Sequence, residues 1–213
     1  RKDIAEALSA PHGPAGNAYP RTCLPLSHPQ ATARIEAGER HSWRLRVNQA
    51  PRAFFDAFHG ECAMNLEEEG GDFVVRRADG LYAYQLACAV DDALTGITEV
   101  LRGDDLLDSA SRQAYILACL DLPVPRYLHI PLMHGEDGRR LAKRIGSEDL
   151  TGFLSRGYDV PAIVGYLAWT LGQVEAGDRL TLEELVPRWS IRNIPREPAI
   201  FRESDLERFK VKS

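Results

Sequence analysis

Between Asp72 and Leu132 the apolar residues alternate in some stretches and recur at helical spacing in others. Phe73, Val74 and Val75 centre a strand running from Asp72 to Arg77, and Asp79-Gly80 closes it with a turn. From Leu81 to Leu94 the period becomes helical. Leu86, Val90 and Leu94 recur at i, i+4 and i+8 and predict the buried face, with Tyr84 and Asp91 on a more polar side. Ile97 to Leu101 reads as the next strand and ends at Arg102-Gly103. Asp108 or Ser109 then caps a helix reaching about Leu120. Tyr127 to Leu132 is a further strand, and residues 135–146 form a glycine-bracketed basic loop.

The flanks differ in character. Residues 9–30 are rich in Pro, Gly, Ala and Ser, which deny regular hydrogen bonding, so a loop is predicted there. A short helix is predicted over residues 31–39 and a strand over residues 42–47. Beyond Ser147, Val160, Ile163, Val164, Leu167 and Leu171 predict a helix that stops at Gly172. Shorter helices are expected at residues 182–186 and 203–209. Strands alternating with helices, followed by helices alone, predict half of a parallel α/β sheet and then a helical subdomain. The corresponding boundaries are 1–71, 72–146 and 147–213.

Composition narrows the function. Hydrophobic residues make up 44% and charged residues 27%, enough for a real core. No apolar run approaches the roughly 20 residues of a membrane span. The formal net charge is −5, so any RNA contact has to be local. Candidate patches are Arg139, Arg140, Lys143 and Arg144, and the series Arg188, Arg192, Arg196, Arg202 and Arg208. A solvated surface explains the second group equally well. Cys88 and Cys119 lie in apolar helical settings and are expected to be buried thiols. The four cysteines form no Cys-x-x-Cys pair and no disulfide framework, which points to the cytoplasm. The opening residues Arg1-Lys2-Asp3-Ile4 read as the inside of a helix, so the chain is expected to start mid-domain.

Three places carry chemistry. Arg102 falls at a strand's carboxyl end, where ligands gather in α/β sheets, and a guanidinium there clamps a carboxylate bidentately. Tyr84 offers a hydroxyl to the same ligand. The alternative is an arginine paired with Asp104 or Asp105 and a core tyrosine. Arg139, Arg140, Lys143 and Arg144 suit charge developing on a triphosphate, or simply a solvated charge run. Tyr19 and Cys23 share a loop. A thiolate is a good zinc ligand and a phenolate an uncommon one, and His12 or His28 is available nearby, but two ligands do not make a site.

The run from Phe73 to Ser109, including Tyr84, Asp91-Asp92 and Arg102-Gly103, resembles the second half of the glutamyl-Q tRNA(Asp) synthetases, within the class I glutamyl-tRNA synthetase-like family. The likeness continues through Arg112-Gln113, Pro125-Arg126-Tyr127-Leu128-His129-Ile130-Pro131-Leu132 and Asp137-Gly138-Arg139-Arg140-Leu141-Ala142-Lys143-Arg144. Leu171-Gly172-Gln173 and residues 189–195 are similar to the family's C-terminal region, and residues 19–23 to its zinc-binding insertion.

The resemblance implies the second half of a class I Rossmann-like parallel sheet, with a zinc-type insertion loop and a C-terminal helical, stem-contacting subdomain. It implies that Tyr84 and Arg102 bind glutamate. It also implies that Lys143 is catalytic and, with Arg140, binds ATP phosphates beside Mg²⁺, and that Tyr19 and Cys23 are two of four Zn²⁺ ligands. The implied reaction is ATP-dependent activation of glutamate and its transfer to the queuosine base of tRNA(Asp) by a cytoplasmic monomer. Arg140 stands where the family's loop has its first lysine, and Ala142 where it has a serine. The family's His-Ile-Gly-His element and Cys-x-Cys pair are not in the chain, so an absent N-terminal half is expected. A glutamyl-tRNA synthetase core fragment and a non-catalytic fragment binding RNA or a partner are the alternative readings. The short stretch after Arg144 favours the glutamyl-Q type.

Overall fold

A computed structural model describes residues 19–47, 52–64, 66, 71–141 and 150–210. The chain divides into two compact units. The first takes the chain through Leu101 and then residues 106–128; the second takes residues 102–105 and everything from His129.

In the first unit, β1 (Trp43–Leu45) pairs antiparallel with β4 (Phe73–Arg76). This small ladder is fastened by a buried carboxylate. Asp72 accepts from Arg21 Nε at 3.0 Å and Nη2 at 2.9 Å and from the Val47 amide at 2.9 Å. Its own carbonyl accepts from Arg44 Nη1 at 2.8 Å. A buried carboxylate persists only when its lone pairs are met in this way.

A hairpin that the sequence reading did not anticipate follows, β2 (Arg52–Asp56) and β3 (Gly60–Met64), with Phe54 opposite Cys62 and Asp56 opposite Gly60. Asp56 shapes its turn: one carboxylate oxygen accepts from the amides of Phe58 and His59, and Gly60 adopts φ +88°. Fully buried, Asp56 also joins burial in pushing the Cys62 thiol up from its ordinary value; burial is the larger cause.

The main sheet has the order β3-β2-β6-β5, with β5 at Glu99–Gly103 and β6 at Arg126–Ile130. It is mixed rather than wholly parallel: β2 runs antiparallel to β3 and parallel to β6. The β2–β3 hairpin is the reason, since a tight turn can join only antiparallel strands. Between β5 and β6 runs α3 (Leu107–Cys119), preceded by a short 3₁₀ turn over Asp104–Leu106. Phe54, Ala110, Ala114 and Tyr127 form the core beneath α3.

The predicted helices are present with altered limits and faces. α1 (His28–Glu36) begins earlier than predicted, because Ser27 caps it with Gln30 and a proline occupies its first turn. α2 (Tyr84–Leu94) begins later than Leu81, because Tyr82 bridges back to Arg76 and the Ala83 amide donates to Val75. Of the predicted face Leu86, Val90 and Leu94, only Leu86 is in the core cluster. Leu94 is 74% exposed, and the core side is Leu86, Ala89 and Ala93 against Ile116 and Leu117 of α3. Gln85 is buried as well, and its amide donates to Ser109 at 3.0 Å. The cysteine expectation is corrected too: Cys119 is exposed at the end of α3 and Cys88 only half-buried.

In the second unit, β7 (Met133–His134) pairs parallel with β8 (Ala199–Ile200). Around them lie α4 (Leu150–Ser155), α5 (Val160–Thr170), α6 (Leu182–Leu185) and α7 (Glu203–Leu206). The core is aromatic: Tyr158, Tyr166 and Phe209 are buried, with Phe201 and Trp169 against them. Tyr166 meets Phe209 and Phe201 edge to face at 5.7 and 5.8 Å. The segments around Gly172 and Ser190 are locked together. Gln173 accepts from the Ser190 amide and donates to the Ser190 carbonyl. A side chain on Gly172, at φ +66°, would lie 2.4 Å from the Asn193 carbonyl oxygen. Among the described residues no helix is long and apolar enough to cross a membrane.

α5 starts at Asp159, whose side chain accepts from the Ala162 amide as an N-cap. Arg179 donates to Asp159 at 2.5 Å and to the Phe209 carbonyl at 2.6 Å. That guanidinium, chiefly, holds the Asp159 carboxyl below its ordinary value, against a smaller opposing effect of burial. A carboxyl depressed in the folded state contributes stability above its unfolded pKa and loses it as pH falls through the folded value. Asp159→Ala is expected to cost about 1–2 kcal/mol at neutral pH through the lost cap, the solvent-screened ion pair adding little. The gap between variant and parent should shrink as pH falls below about 4; urea melts across pH check this. Further along the helix, a side chain on Gly165 would lie 2.0 Å from the Asp178 carbonyl oxygen, which is backbone and cannot yield cheaply. Gly165→Ala is expected to destabilise the second unit by about 3 kcal/mol, read from the same melts.

Candidate functional site

The arrangement of chemistry follows from the β5–α3–β6 crossover. The Arg126 amide donates to the Thr98 carbonyl where the two strands begin. The Arg102 side chain reaches His129 near where they end, so β5 and β6 run the same way. Arg102 Nε donates to His129 Nε2 at 2.8 Å. His129 is fully buried and, two residues on from buried Tyr127, shares its side of β6. A guanidinium carries only donors, so Nε2 must offer a lone pair and the imidazole is neutral, with its proton on Nδ1. Arg102 was singled out by the sequence; His129 was not, although a histidine in phase with a buried tyrosine on a short strand was the available signal.

The residues after Arg102 belong to the same second unit. Gly103 permits a close approach: a side chain there would lie 2.5 Å from Leu132 Cδ2 and 2.7 Å from Asp105 Oδ1. The Asp105 carboxylate accepts from Arg140 Nη1 in a tight ion pair. The basic segment is folded back rather than loose up to residue 141. The Gly135 amide donates to Arg139 O at 2.8 Å, the Leu141 amide donates to Met133 O at 3.0 Å, and Gly138 turns the chain at φ +72°. Asp137 supports the turn by accepting from the Arg139 amide. Arg140 is thus a cation seen on Asp105.

The other expected site residues are placed as follows. Tyr84 is the first residue of α2 in the first unit and is 54% exposed. Lys143 and Arg144 lie outside the described residues, as does His12. Tyr19 and Cys23 come together in one turn, where the Cys23 amide donates to the Tyr19 hydroxyl at 3.1 Å. The Arg44 guanidinium lies 4.1 Å from the centre of the Tyr19 ring. Burial lowers the Arg44 pKa from its ordinary value, opposed by Tyr19, Asp72 and Cys23.

Zinc fits this turn only in part. A structural zinc takes four ligands. Among the described residues no group of three or more His, Cys, Asp or Glu side chains is placed to hold a metal. Tyr19 and Cys23 by themselves offer two donors.

Comparison with known proteins is consistent with the crossover geometry. Residues 3–206 match the class I tRNA synthetases (E and Q), catalytic domain. The chain is 44% identical over 200 residues to a glutamyl-Q tRNA(Asp) synthetase of Symbiobacterium thermophilum, covering 93% of this chain and 62% of that protein. It is 40% identical over 206 residues to a relative of the same name from Nocardia farcinica, covering 97% of this chain and 63% of that one. The chain thus spans less than two thirds of the length of these relatives. A crystal structure of a glutamate tRNA ligase from Elizabethkingia meningosepticum, in complex with its amino acid, shares the fold. Its TM-score is 0.73 at 20% identity, covering 87% of this chain and 41% of that one. With strands, crossover helix and basic hairpin all inside a match that runs through residues 3–206, this chain belongs to the class I tRNA synthetase family for E and Q, within its catalytic domain.

Proposed function

We propose that the protein containing this chain activates glutamate with ATP and transfers it to the queuosine base of tRNA(Asp). One observation carries the reading: 44% identity over 93% of the chain with a protein named for that activity. The placement of Arg102 near the end of β5 supports it, since that is where an α/β sheet gathers ligands.

In this reading Arg102 pairs with a carboxylate of glutamate, and the Tyr84 hydroxyl donates to the same substrate. A glutamate carboxylate oxygen attacks the α-phosphorus of ATP and pyrophosphate leaves, giving glutamyl-adenylate. A hydroxyl of the modified base then attacks the acyl carbon, and AMP leaves. Positioning and charge neutralisation do the catalytic work. Arg140, and Lys143 beyond the described residues, would contact the triphosphate, with Mg²⁺ supplying charge compensation on its oxygens. Residues 147–213 form the segment proposed to meet the RNA. Tyr19 and Cys23 would contribute two donors to a Zn²⁺ completed by ligands elsewhere in the protein. We read the enzyme as a cytoplasmic monomer.

The test is ATP–pyrophosphate exchange with the full-length gene product. Exchange should require glutamate, and Arg102→Ala should lower kcat/KM for glutamate about 100-fold, roughly 2.7 kcal/mol. Wild-type protein that shows no glutamate-dependent exchange would overturn the reading. Radiolabelled glutamate recovered on the tRNA 3′ end, rather than on the modified base, would point instead to an ordinary glutamyl-tRNA synthetase.

A further inference from the structure

The contact between Arg102 and His129 has a direction and a chemistry that the proposed binding role of Arg102 does not by itself require. The donor is Nε, the nitrogen within the arginine side chain, and the acceptor is Nε2, the outer nitrogen of the imidazole. An N–H at Nε lies in the guanidinium plane. Fixing it at 2.8 Å to a group that cannot move fixes both the position of the side chain and the tilt of that plane. The acceptor is immobile for two reasons: His129 is fully buried, and it sits on a strand rather than a loop. Bidentate recognition of a carboxylate depends on that plane, because both N–H bonds have to be coplanar with the two oxygens.

We infer that His129 is a positioning residue: its neutral imidazole, accepting from Arg102 Nε, sets the guanidinium plane for the substrate carboxylate. This rests on the reading that Arg102 binds glutamate. His129 touches no substrate in this scheme and acts only through Arg102. Its imidazole is suited to the task because it presents a lone pair from a rigid ring. A carboxylate at the same point would accept equally well but would neutralise the cation that the substrate needs. Gly103 and Leu132 belong to the same arrangement. The Leu132 side chain packs closely over Gly103, where a Cβ would lie 2.5 Å from Leu132 Cδ2, so Leu132 borders the backbone next to Arg102.

The position of the accepting atom makes the inference testable by substitution. A glutamine carbonyl oxygen stands as many bonds from Cβ as Nε2 does; an asparagine oxygen stands where Nδ1 does. In exchange assays on the full-length protein, His129→Gln should keep KM for glutamate within about threefold of the parent, while His129→Asn and His129→Leu raise it about tenfold or more. KM for ATP should stay within about twofold throughout. In an Arg102→Lys background, which has no planar fork to orient, His129→Asn should have little further effect. Thermal melts accompany every variant. Unchanged KM for glutamate in His129→Asn and His129→Leu would overturn the positioning role while leaving the glutamate reading intact. Equal losses in Gln, Asn and Leu variants, with KM for ATP and melting temperature moving together, would also overturn it, as a purely structural effect. If the parent shows no glutamate-dependent exchange, the functional reading itself fails and this inference with it. The Arg102→Lys pair keeps the test decisive should His129→Leu fail to fold.

Discussion

A cation tied to a buried neutral imidazole near the ends of two neighbouring strands is the interaction on which the site depends. Arg102 and His129 are 27 residues apart in sequence, and only the β5–α3–β6 crossover brings them to 2.8 Å. The crossover needs α3 to pack on the sheet, which it does through Ala110 and Ala114 over Phe54 and Tyr127. Small residues on the helix let it come close to the large aromatic ones beneath. Tyr127 therefore anchors the crossover core, and His129, in phase with it, carries an accepting nitrogen to Arg102 Nε.

Turns and short elements elsewhere are held by polar side chains rather than by long regular elements. Asp72 gathers Arg21 and the Val47 amide. Asp56 turns the β2–β3 hairpin. Gln173 pins the segment around Ser190, and Asp159 caps α5 while accepting from Arg179. Each satisfies backbone amides or carbonyls that short elements leave without ladder partners. Asp105 does the same for the basic hairpin by charge, drawing Arg140 onto the short turn that follows Arg102.

Much of this was legible in the residues. The strand over Phe73–Arg76, the helices α2, α3 and α5, and strands at β5 and β6 follow from period and punctuation, because alternation and helical spacing report local geometry. The β2–β3 hairpin was missed. Its strands are five residues each and mix Phe with Arg, Asp and Glu, and Ala57-Phe58-His59 is not a recognisable turn sequence; its order comes from Asp56 and from pairing with β6. The face of α2 was misread for a related reason. Val90 and Leu94 are the larger side chains, yet α3 packs against α2 through Ala89 and Ala93 beside Leu86, and close helix approach favours the smaller residues.

The linear sequence determined the local elements, the family and the identity of Arg102 as the cation at a strand end, since periodicity and motif order are properties of neighbouring residues. Tertiary structure alone decided which distant groups meet. Asp105 takes Arg140, the Arg102 guanidinium donates to His129, Asp72 takes Arg21, and the sheet is mixed because β2 joins it beside β6. The physical reason is that hydrogen bonds and ion pairs depend on separation in space, which only chain crossovers and core packing set, whereas helical and strand periods are written one residue after the next.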